Sequence, residues 1–409
     1  MTVPVEVDIT GIASGGDGVG RTNGLVVFVP RTAVGDTASV LIRSAKRFAR
    51  GSLAALVRPS LTRTEPSCSH YVGDRCGGCQ LQHIAYPAQL DAKSAIVTDS
   101  LRRIGKRDVG AVQVMPSASE WRYRRKLTLH VRRVGTRVIA GLHPYDNAQA
   151  VFDLRECPIT EDAVVEFWQE MRMAFGHLPE VDELRVAVRH LANGFAVTVE
   201  GAGSWPGADR FFDALPTLSE LWWKPEEGRL RRLHHRGAAN EAGASFVQVN
   251  AGVAEALHAH VITRVRSHAP ETVVDAYAGS GATAIRLARE SRVTAIELDR
   301  DAGAVLEREL SPPSRVVVGR VEDHLARALP ADVVLLNPPR AGVDERVTRL
   351  LEDAGKRPRA ILYTSCDPAT LARDIARMPR YRIASVRAFD MFPQTAHVET
   401  VCELVPEAA

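Results

Sequence analysis

The stretch VVDAYAGSG, residues 273–281, decides the fold of the C-terminal part of this chain of 409 residues. Its apolar start is typical of a strand buried in a parallel sheet. The glycines at 279 and 281 allow the backbone to turn tightly and to approach another molecule closely. A strand that runs through a glycine turn into a helix predicts the first unit of an α/β domain.

The sequence on both sides of this stretch alternates between strand and helix patterns. The strand patterns are TVVDAYAG, VTAIELD, RVVVG, DVVLLNPP and AILYTSC, and each precedes apolar positions at helical spacing. An apolar helix pattern, VAEALHAHVITRVRSH, comes before the first strand. This alternation predicts a doubly wound α/β domain with a mostly parallel sheet over residues 241–409.

The glycine turn also predicts a ligand. Ala284 stands where the dinucleotide fingerprint G-x-G-x-x-G has its third glycine, which disfavours an oxidoreductase. The pattern D-x-x-x-G-x-G, from Asp275 to Gly281, is more typical of S-adenosylmethionine (SAM) enzymes. Glu297 ends the next strand, where a carboxylate can accept hydrogen bonds from ribose hydroxyls.

A cysteine follows the last strand pattern, in AILYTSCDPATLARD at residues 360–374. Side chains at the carboxyl ends of such strands face the ligand crevice, so Cys366 is a candidate nucleophile. A buried structural cysteine is the alternative. Asn337-Pro338-Pro339-Arg340 follows the preceding strand, and its prolines stiffen the backbone at the same edge.

The N-terminal part of the chain follows other patterns. Residues 1–58 contain short Val- and Thr-rich strands separated by glycine turns, which predicts a small all-β barrel. Residues 59–240 predict a central domain that begins with a cysteine-bearing loop and continues mostly as strands. The five tryptophans lie there, and we interpret them as core residues.

Four cysteines, at 68, 76, 79 and 157, are spaced like metal ligands. The absence of a secretory signal pattern predicts a reducing, cytoplasmic location, where disulfides are rare. Gly77 and Gly78 let the loop fold round a metal. Four thiolates suit either zinc or an iron–sulfur cluster, and the spacing leaves both open.

The net charge of +3 decides little, but the basic residues are clustered. One cluster comprises Arg122, Arg124, Arg125, Lys126, Arg132, Arg133 and Arg137, and another comprises Arg229, Arg231, Arg232 and Arg236. Such clusters suit a phosphate backbone, although solvated strand faces are the alternative. No apolar run reaches the roughly 20 residues that span a bilayer.

Together these segments resemble the RNA uracil-C5 methyltransferase family over nearly the whole chain. CGGCQLQHIAYPAQL resembles its iron–sulfur segment, YRRKLTLHV its central domain and SFVQVN the entry to its catalytic domain. NPPRAGV, YTSCDPATLARD and DMFPQTAHVET resemble its catalytic motifs. GDGVGR at 16–21, with VVFVPRTAVGDTASVLI, resembles a TRAM domain, an OB-like RNA-binding barrel. The implied fold has three domains along the chain. The TRAM barrel comes first, a mixed α+β iron–sulfur domain follows, and a class I SAM-dependent methyltransferase domain comes last.

The resemblance also implies roles for individual residues. Cys366 would be the nucleophile and Glu399 the base. SAM contacts would come from Gln248, Tyr277, Gly279, Gly281, Glu297 and Asn337, and a 4Fe–4S cluster would sit on Cys68, Cys76, Cys79 and Cys157. Members with both a TRAM domain and a cluster resemble enzymes of 23S rRNA more than those of tRNA. We therefore expect an RNA substrate, a monomer and no protein partner.

A departure from the family pattern at position 337 keeps other functions open. The family usually has Asp at position 337, and Asn337 removes a negative charge beside a cationic cofactor. Asn-Pro-Pro also occurs in amino-nitrogen methyltransferases, although these need no Cys366 and usually have an aromatic residue where this chain has Arg340. An iron–sulfur RNA-binding protein with altered methyltransferase activity is the non-enzymatic alternative. We interpret His397 as a structural hydrogen-bonding residue.

Overall fold

The computed structural model describes residues 3–45, 47–135, 137–237, 248–353, 355 and 357–407. Within these ranges the chain forms a closed barrel and two larger sheets. None of the helices in the described ranges is both long and apolar enough to cross a bilayer.

The N-terminal barrel is built from five strands, and it confirms the predicted all-β fold of this region. The strands are β1 (Val5–Ile12), β2 (Gly18–Thr22), β3 (Leu25–Val29), β4 (Thr37–Ala45) and β5 (Ala49–Arg58). They close in the order β1-β2-β3-β5-β4. Alternate residues point inward, because successive side chains in a strand face opposite sides. Val7, Ile9, Val27, Val29 and Val40 fill the interior.

The middle of the chain begins with two helices and one strand, and then builds a seven-stranded sheet. The first elements are α1 (Ser69–Val72), α2 (Tyr86–Arg103) and β6 (Gln113–Met115). The next are β7 (Lys126–Val134), β8 (Arg137–Leu142), β9 (Phe152–Asp153), α3 (Asp162–Met171), a 3-10 helix (Arg172–His177), β10 (Glu183–Leu191), β11 (Gly194–Glu200), α4 (Ala208–Asp213), β12 (Leu218–Lys224) and β13 (Arg231–His235).

The seven-stranded sheet has the order β13-β12-β11-β10-β7-β8-β9. Helix α3, the 3-10 helix and helix α4 cover one of its faces. The core between them contains Phe167, Trp168, Phe211 and Trp223. Four of the five tryptophans are buried, at positions 168, 205, 222 and 223, so the interpretation of these as core residues is confirmed. The large apolar area of each Trp explains its place in the core.

The C-terminal part forms the predicted doubly wound α/β domain. Its elements are α5 (Ala251–Arg266), β14 (Thr272–Ala276), α6 (Ala284–Leu287), β15 (Arg292–Glu297), α7 (Arg300–Glu309), β16 (Arg315–Val318), α8 (Val321–Ala328), β17 (Val333–Leu336), α9 (Glu345–Asp353), β18 (Ala360–Ser365), α10 (Pro368–Ala376), β19 (Tyr381–Phe389) and β20 (Glu399–Pro406). Strands β14 to β18 are parallel neighbours, and β20 is antiparallel to both β18 and β19.

The order of this sheet, β16-β15-β14-β17-β18-β20-β19-β6, fixes the place of the ligand crevice. The chain first adds strands on one side of β14 and then on the other, so the order reverses between β14 and β17. Ligands of such sheets bind at the carboxyl ends of the strands beside this reversal. The edge strand β6 comes from residues before the seven-stranded sheet, and it pairs in parallel with β19.

Candidate active site

Cys366 and Glu399 are brought together by the pairing of β18 with β20. Ser365, the last residue of β18, lies opposite Thr400 in this antiparallel ladder. The next pair along the same register is Cys366 and Glu399, so the thiol and the carboxyl group stand on neighbouring strands. The two residues predicted as nucleophile and base therefore share one site.

The environment of Cys366 keeps its thiol protonated at rest. Burial raises the pKa of Cys366, the neighbouring Glu399 carboxylate raises it further, and Arg340 lowers it by charge and by a hydrogen bond. The residue is partly exposed, so it can meet a substrate. Asp367 caps α10 by accepting from the Thr370 backbone N–H at 2.8 Å, which fixes the backbone directly after the cysteine.

Glu399 is poised to exchange a proton near neutral pH. Its residue is only 4% exposed, and burial raises its pKa to about 7 although Arg340 opposes the shift. A carboxyl group with such a pKa is well matched to general-base catalysis at physiological pH. Burial is the main cause, because desolvation disfavours the charged form.

Arg340 is a cation beside both predicted catalytic groups, a position that the sequence did not reveal. It lowers the pKa values of both Cys366 and Glu399. A guanidinium group stays charged at any pH relevant to a protein, so it provides a fixed positive charge beside the developing thiolate. The sequence signal was its place after two prolines, but nothing in that motif predicts the contact with Cys366.

Helix α10 holds the loop that carries Arg340. Thr370 Oγ1 donates to the Arg340 carbonyl at 3.2 Å, and Arg373 donates to the Ala341 carbonyl at 2.8 Å. Asp374 is fully buried and accepts from the Val343 N–H at 3.0 Å and from the Tyr363 hydroxyl at 2.7 Å. The segment 337–343 is thus attached to the same helix that begins after Cys366.

His397 differs from its sequence interpretation as a structural hydrogen-bonding residue. Its imidazole is exposed in a segment whose other residues are mostly buried, and its ring lies against Phe392 with centroids 5.9 Å apart. Among the described residues, His397 makes its hydrogen bond through the backbone N–H, which donates to Thr395 Oγ1 at 3.2 Å.

The predicted cofactor turn has the conformation that its glycines allow. Gly279 and Gly281 have φ values of +57° and +91°, and Tyr277 has +66°. A β carbon on Gly281 would collide with Leu306 and Ile285. The Gly279 N–H donates to the Glu297 carboxylate at 2.7 Å, and so does the Asp299 N–H. Glu297 is therefore held at the mouth of the turn with its direction fixed.

Asp275, on strand β14, stabilises the glycine turn through the residue Thr283 that follows it. It is buried, and Thr283 donates to its carboxylate at 2.5 Å. Burial raises the pKa of Asp275 to about 6, and the nearby Glu297 contributes to this rise. Asn337 lies on the adjacent loop and donates its backbone N–H to the Ala276 carbonyl at 3.4 Å. The predicted cofactor residues on β14, β15 and the loop after β17 therefore line one edge of the sheet.

Gln248 is the remaining residue of the predicted SAM set. Its amide oxygen is buried and has no hydrogen-bond partner among the residues that the structure describes. Buried polar atoms are nearly always hydrogen-bonded, so an unpaired amide oxygen is available to a ligand. Two residues later, Asn250 caps α5 through its side chain.

The four cysteines predicted as metal ligands are near neighbours although they are distant in sequence. Cys68, Cys79 and Cys157 belong to one small cluster with Tyr71 and Tyr123. Burial raises the pKa of Cys76 to about 11, and the thiols of Cys68 and Cys157 raise it as well. Three buried thiols and the partly exposed thiol of Cys157, grouped in this way, are a suitable donor set for a cation.

The cysteine segment is held by the region around residue 144. The Gly77 N–H donates to the His143 carbonyl at 2.9 Å, and Tyr145 donates to the Arg75 carbonyl at 2.8 Å. Across the described ranges of the chain, no three His, Cys, Asp or Glu side chains adopt the spacing of bound metal ligands. The thiols are thus grouped, but their sulfur atoms are not arranged as a coordination shell.

Part of the predicted basic surface has a structural role instead. Arg236 donates to the carbonyls of Phe212, Leu215 and Leu218 at 2.8, 2.8 and 2.6 Å, and its guanidinium group packs on the Phe212 ring. Arg122 pairs with Asp162 at 3.0 Å. Arg236 stabilises the fold through these contacts, whereas Arg122, Arg229 and Arg231 are exposed.

Comparison with known proteins agrees with this arrangement. The family model described as tRNA (Uracil-5-)-methyltransferase matches residues 318–405, which contain Arg340, Cys366 and Glu399. The TRAM domain model matches residues 4–54, which form the barrel.

Relatives that match nearly the whole chain extend the likeness to the barrel, the middle of the chain and the C-terminal α/β domain. An RNA methyltransferase of Synechocystis sp. is 32% identical over 99% of this chain and 96% of its own length. The 23S rRNA (uracil(1939)-C(5))-methyltransferase of Thiobacillus denitrificans is 30% identical over 97% and 98%.

A solved structure shares the fold. The tRNA (uracil-54, C5)-methyltransferase of Pyrococcus abyssi, in complex with S-adenosyl-L-homocysteine, has a TM-score of 0.72 and 24% identity, and the match covers 98% of this chain and 99% of that one. With the paired Cys366 and Glu399, the glycine turn and the barrel, these likenesses show that the chain belongs to the family of SAM-dependent RNA (uracil-C5)-methyltransferases with an N-terminal TRAM domain.

Proposed function

We propose that this protein methylates carbon 5 of one or more uridines in 23S rRNA, with Cys366 as nucleophile and Glu399 as base. The observation that supports the proposal is the register of β18 and β20, in which Ser365 lies opposite Thr400, so that Cys366 and Glu399 directly adjoin this pair. Carbon 5 of uracil is a weak nucleophile, so the reaction needs prior addition of a strong nucleophile at carbon 6. A thiolate is the side chain best suited to that addition.

The steps follow from the positions of the groups. The Cys366 sulfur bonds to carbon 6, and the electron pair moves to give an enolate with a nucleophilic carbon 5. Carbon 5 takes the methyl group of SAM, and S-adenosyl-L-homocysteine leaves. Glu399 then removes the proton from carbon 5, and the sulfur–carbon bond breaks as the ring double bond returns. Arg340 stabilises the thiolate before and after these steps.

For SAM we propose contacts from Gln248, Tyr277, Gly279, Gly281, Glu297 and Asn337. The fixed direction of the Glu297 carboxylate and the unpaired amide oxygen of Gln248 support this set. The SAM sulfonium would be placed toward the Cys366 end of the sheet, because the crevice runs along the carboxyl ends of the strands.

One observation supports a ribosomal RNA substrate. The Thiobacillus denitrificans relative acts on 23S rRNA, and the likeness to it covers nearly all of both chains. The Pyrococcus abyssi protein acts on tRNA, but at 24% identity the likeness supports only the fold. The barrel would hold RNA next to the target uridine, which must leave its base stack to reach Cys366.

We further propose that Cys68, Cys76, Cys79 and Cys157 hold a 4Fe–4S cluster, with zinc as the alternative. When bound, either group would tie the segment 68–79 to Cys157 and so stabilise the region between the barrel and the catalytic domain. The grouping of Cys68, Cys79 and Cys157 in one small cluster supports a shared cation. Iron, sulfide and zinc analysis of anaerobically purified protein separates the two. Less than one equivalent of iron together with less than one equivalent of zinc would contradict both.

Two further expectations belong to the same proposal. We propose that the chain divides functionally into a barrel of residues 1–58, a central region of residues 59–240 and a catalytic domain of residues 241–409. We also propose that it acts as a cytoplasmic monomer without a protein partner.

The experiment that tests the reaction uses RNA in which uridine is replaced by 5-fluorouridine. Fluorine cannot leave carbon 5 as a proton, so the covalent adduct with Cys366 should persist on a denaturing gel. The shifted band should require SAM and should be absent from Cys366→Ala. If SAM and RNA bind but no band forms, the carbon-5 mechanism is wrong, and methylation at an amino nitrogen is the next hypothesis.

The same assay distinguishes the substrates. A fragment of 23S rRNA and an unmodified tRNA are offered separately at equal concentration. Faster adduct formation with the ribosomal fragment supports the proposed substrate, and faster formation with tRNA overturns it. RNA binding without methyl transfer to either would instead support a binding protein with altered activity.

A further inference from the structure

The segment 390–398, called the catalytic loop below, leads directly to the base at Glu399 and has an unusual conformation at its centre. Gln394 has a φ of +69°, a backbone region that residues with a β carbon rarely adopt. It is also 2% exposed. A buried residue in a strained conformation persists only where its surroundings hold it there.

Gln394 is held by a reciprocal pair of hydrogen bonds with Gln89 of helix α2. Gln89 Nε2 donates to Gln394 Oε1 at 2.9 Å, and the Gln394 backbone N–H donates to Gln89 Oε1 at 3.0 Å. Gln89 is itself 1% exposed, and its Nε2 also lies 2.8 Å from the Ile84 carbonyl. Both glutamines are therefore fixed by partners on each side.

The carbonyl of Gln394 is bound by the segment that follows Cys79. The backbone N–H groups of Gln80 and Leu81 donate to it at 3.1 and 3.0 Å. The Ala396 N–H donates to the Gln80 side chain at 3.4 Å. The residue thus joins the catalytic loop, helix α2 and the cysteine segment at one point.

We propose that Gln394 is a positioning residue for the reaction, and that Gln89 is the partner through which it acts. This inference rests on the proposed roles of Cys366 and Glu399. The loop sets the register in which β20 begins, and a shift of one residue would turn Glu399 to the other face of the sheet. Gln394 fixes that register, so it controls proton removal from carbon 5 without touching the substrate.

The two variants that test the proposal are Gln394→Met and Gln89→Met. Methionine has a similar length, so each change keeps the volume. Gln89→Met removes both hydrogen bonds of the pair, whereas Gln394→Met removes the one that its side chain accepts and leaves the one that its backbone N–H donates. Ser94→Ala is the matched control, because Ser94 lies on the same helix and donates to the Val112 carbonyl, away from the catalytic loop.

With ordinary uridine RNA, both methionine variants should accumulate a SAM-dependent covalent adduct that the wild-type protein releases. Addition of Cys366 and methyl transfer still occur, but a displaced Glu399 removes the carbon-5 proton slowly. We expect kcat to fall about tenfold. Complete loss of a general base would lower it by more, roughly 10²- to 10⁴-fold. The SAM dissociation constant should change by less than about twofold, because the pair lies outside the cofactor turn.

The double variant Gln89→Met/Gln394→Met should lose no more activity than Gln89→Met alone, because Gln89→Met already removes both hydrogen bonds of the pair. Amide hydrogen exchange over residues 390–400 should rise in all three variants and stay unchanged in Ser94→Ala. Additive losses, wild-type kcat, or a loss of SAM affinity equal to the loss of activity would each overturn the positioning role.

The outcomes also separate this inference from the proposed reaction. If the wild-type protein forms no adduct with 5-fluorouridine RNA, the reaction is wrong, and the hydrogen-exchange measurement alone then decides whether the glutamine pair orders the loop. If the wild-type adduct forms and the methionine variants release their product normally, only the positioning role is wrong.

Discussion

At the residue scale, the raised pKa of Glu399 gives the reaction its pH dependence. The carboxyl group must be ionised to remove a proton, and burial raises its pKa to about 7. Release of the methylated product from the covalent adduct, the step assigned to Glu399, should therefore become faster with pH up to about 7 and then level off. A pH profile of single-turnover product release checks this expectation, and a rate that is flat between pH 5 and 8 would contradict it.

The same shift makes Glu399 a cost to stability in the substrate-free protein. Below pH 4.5 the carboxyl group is protonated in both folded and unfolded chains. Between 4.5 and about 7 only the unfolded chain ionises, so the folded state loses roughly 1.4 kcal/mol per pH unit. Glu399→Gln should therefore unfold at a higher temperature than the wild type at pH 8, by more than at pH 5. Thermal unfolding at the two pH values tests the prediction, and Glu403→Gln is a contrasting variant because the pKa of Glu403 is lowered.

Asn337 permits a second prediction at this scale, about charge near the cofactor. SAM carries a positive sulfonium, whereas S-adenosyl-L-homocysteine is neutral. Asn337→Asp should tighten SAM binding by about three- to tenfold, because a partly exposed charge pair contributes on the order of 1 kcal/mol. Binding of S-adenosyl-L-homocysteine should change little. Calorimetric titration with both ligands checks the result, and equal effects on the two would show that charge is not the cause.

At the element scale, helix α10 supports the loop of Arg340 through one buried carboxylate. Asp374→Ala would leave the Tyr363 hydroxyl and the Val343 N–H without their partner, which should cost about 3 kcal/mol of unfolding free energy. Asp374→Asn keeps an acceptor and should cost less. Urea unfolding measures both, and kcat should fall with Asp374→Ala because Arg340 loses its fixed position. Equal stability of the two variants would contradict the role of these hydrogen bonds.

At the scale of the whole molecule, Arg31 attaches the barrel to the cysteine segment. Its guanidinium group lies 3.7 Å from the centre of the Tyr71 ring and 4.5 Å from that of Tyr145. It also donates to the carbonyls of Tyr71 and Cys76. A planar guanidinium group can stack on two rings and donate two hydrogen bonds at once, which an ammonium group cannot reproduce.

Arg31→Lys should therefore loosen the barrel without disturbing the catalytic crevice. We expect the KM for RNA to rise about fivefold or more, with the SAM dissociation constant unchanged. Arg58→Lys, the same change at an exposed arginine at the end of β5, is the matched control. If both variants raise the KM for RNA equally, the loss of a guanidinium group from the barrel surface, rather than loss of the attachment, explains the effect.

The sequence by itself determined the features that are written in consecutive residues. The strand–helix alternation, the glycine turn and the cysteine at a strand end each follow from local backbone preferences, and each was confirmed as an element of the fold. Local patterns are predictable because they depend on residues within a few positions of one another. The resemblance added the roles of Cys366 and Glu399, for which the observed strand register gives a geometric reason.

Only the tertiary structure decided which distant residues meet. Arg340 acts on both Cys366 and Glu399, Gln89 pairs with Gln394 across 305 positions, and Arg236 proved structural despite lying in a basic run. The exposed ring of His397 was likewise contrary to its sequence interpretation. The physical reason is that such contacts depend on strand register and on the packing of whole elements, and neither is encoded in the spacing of the residues concerned.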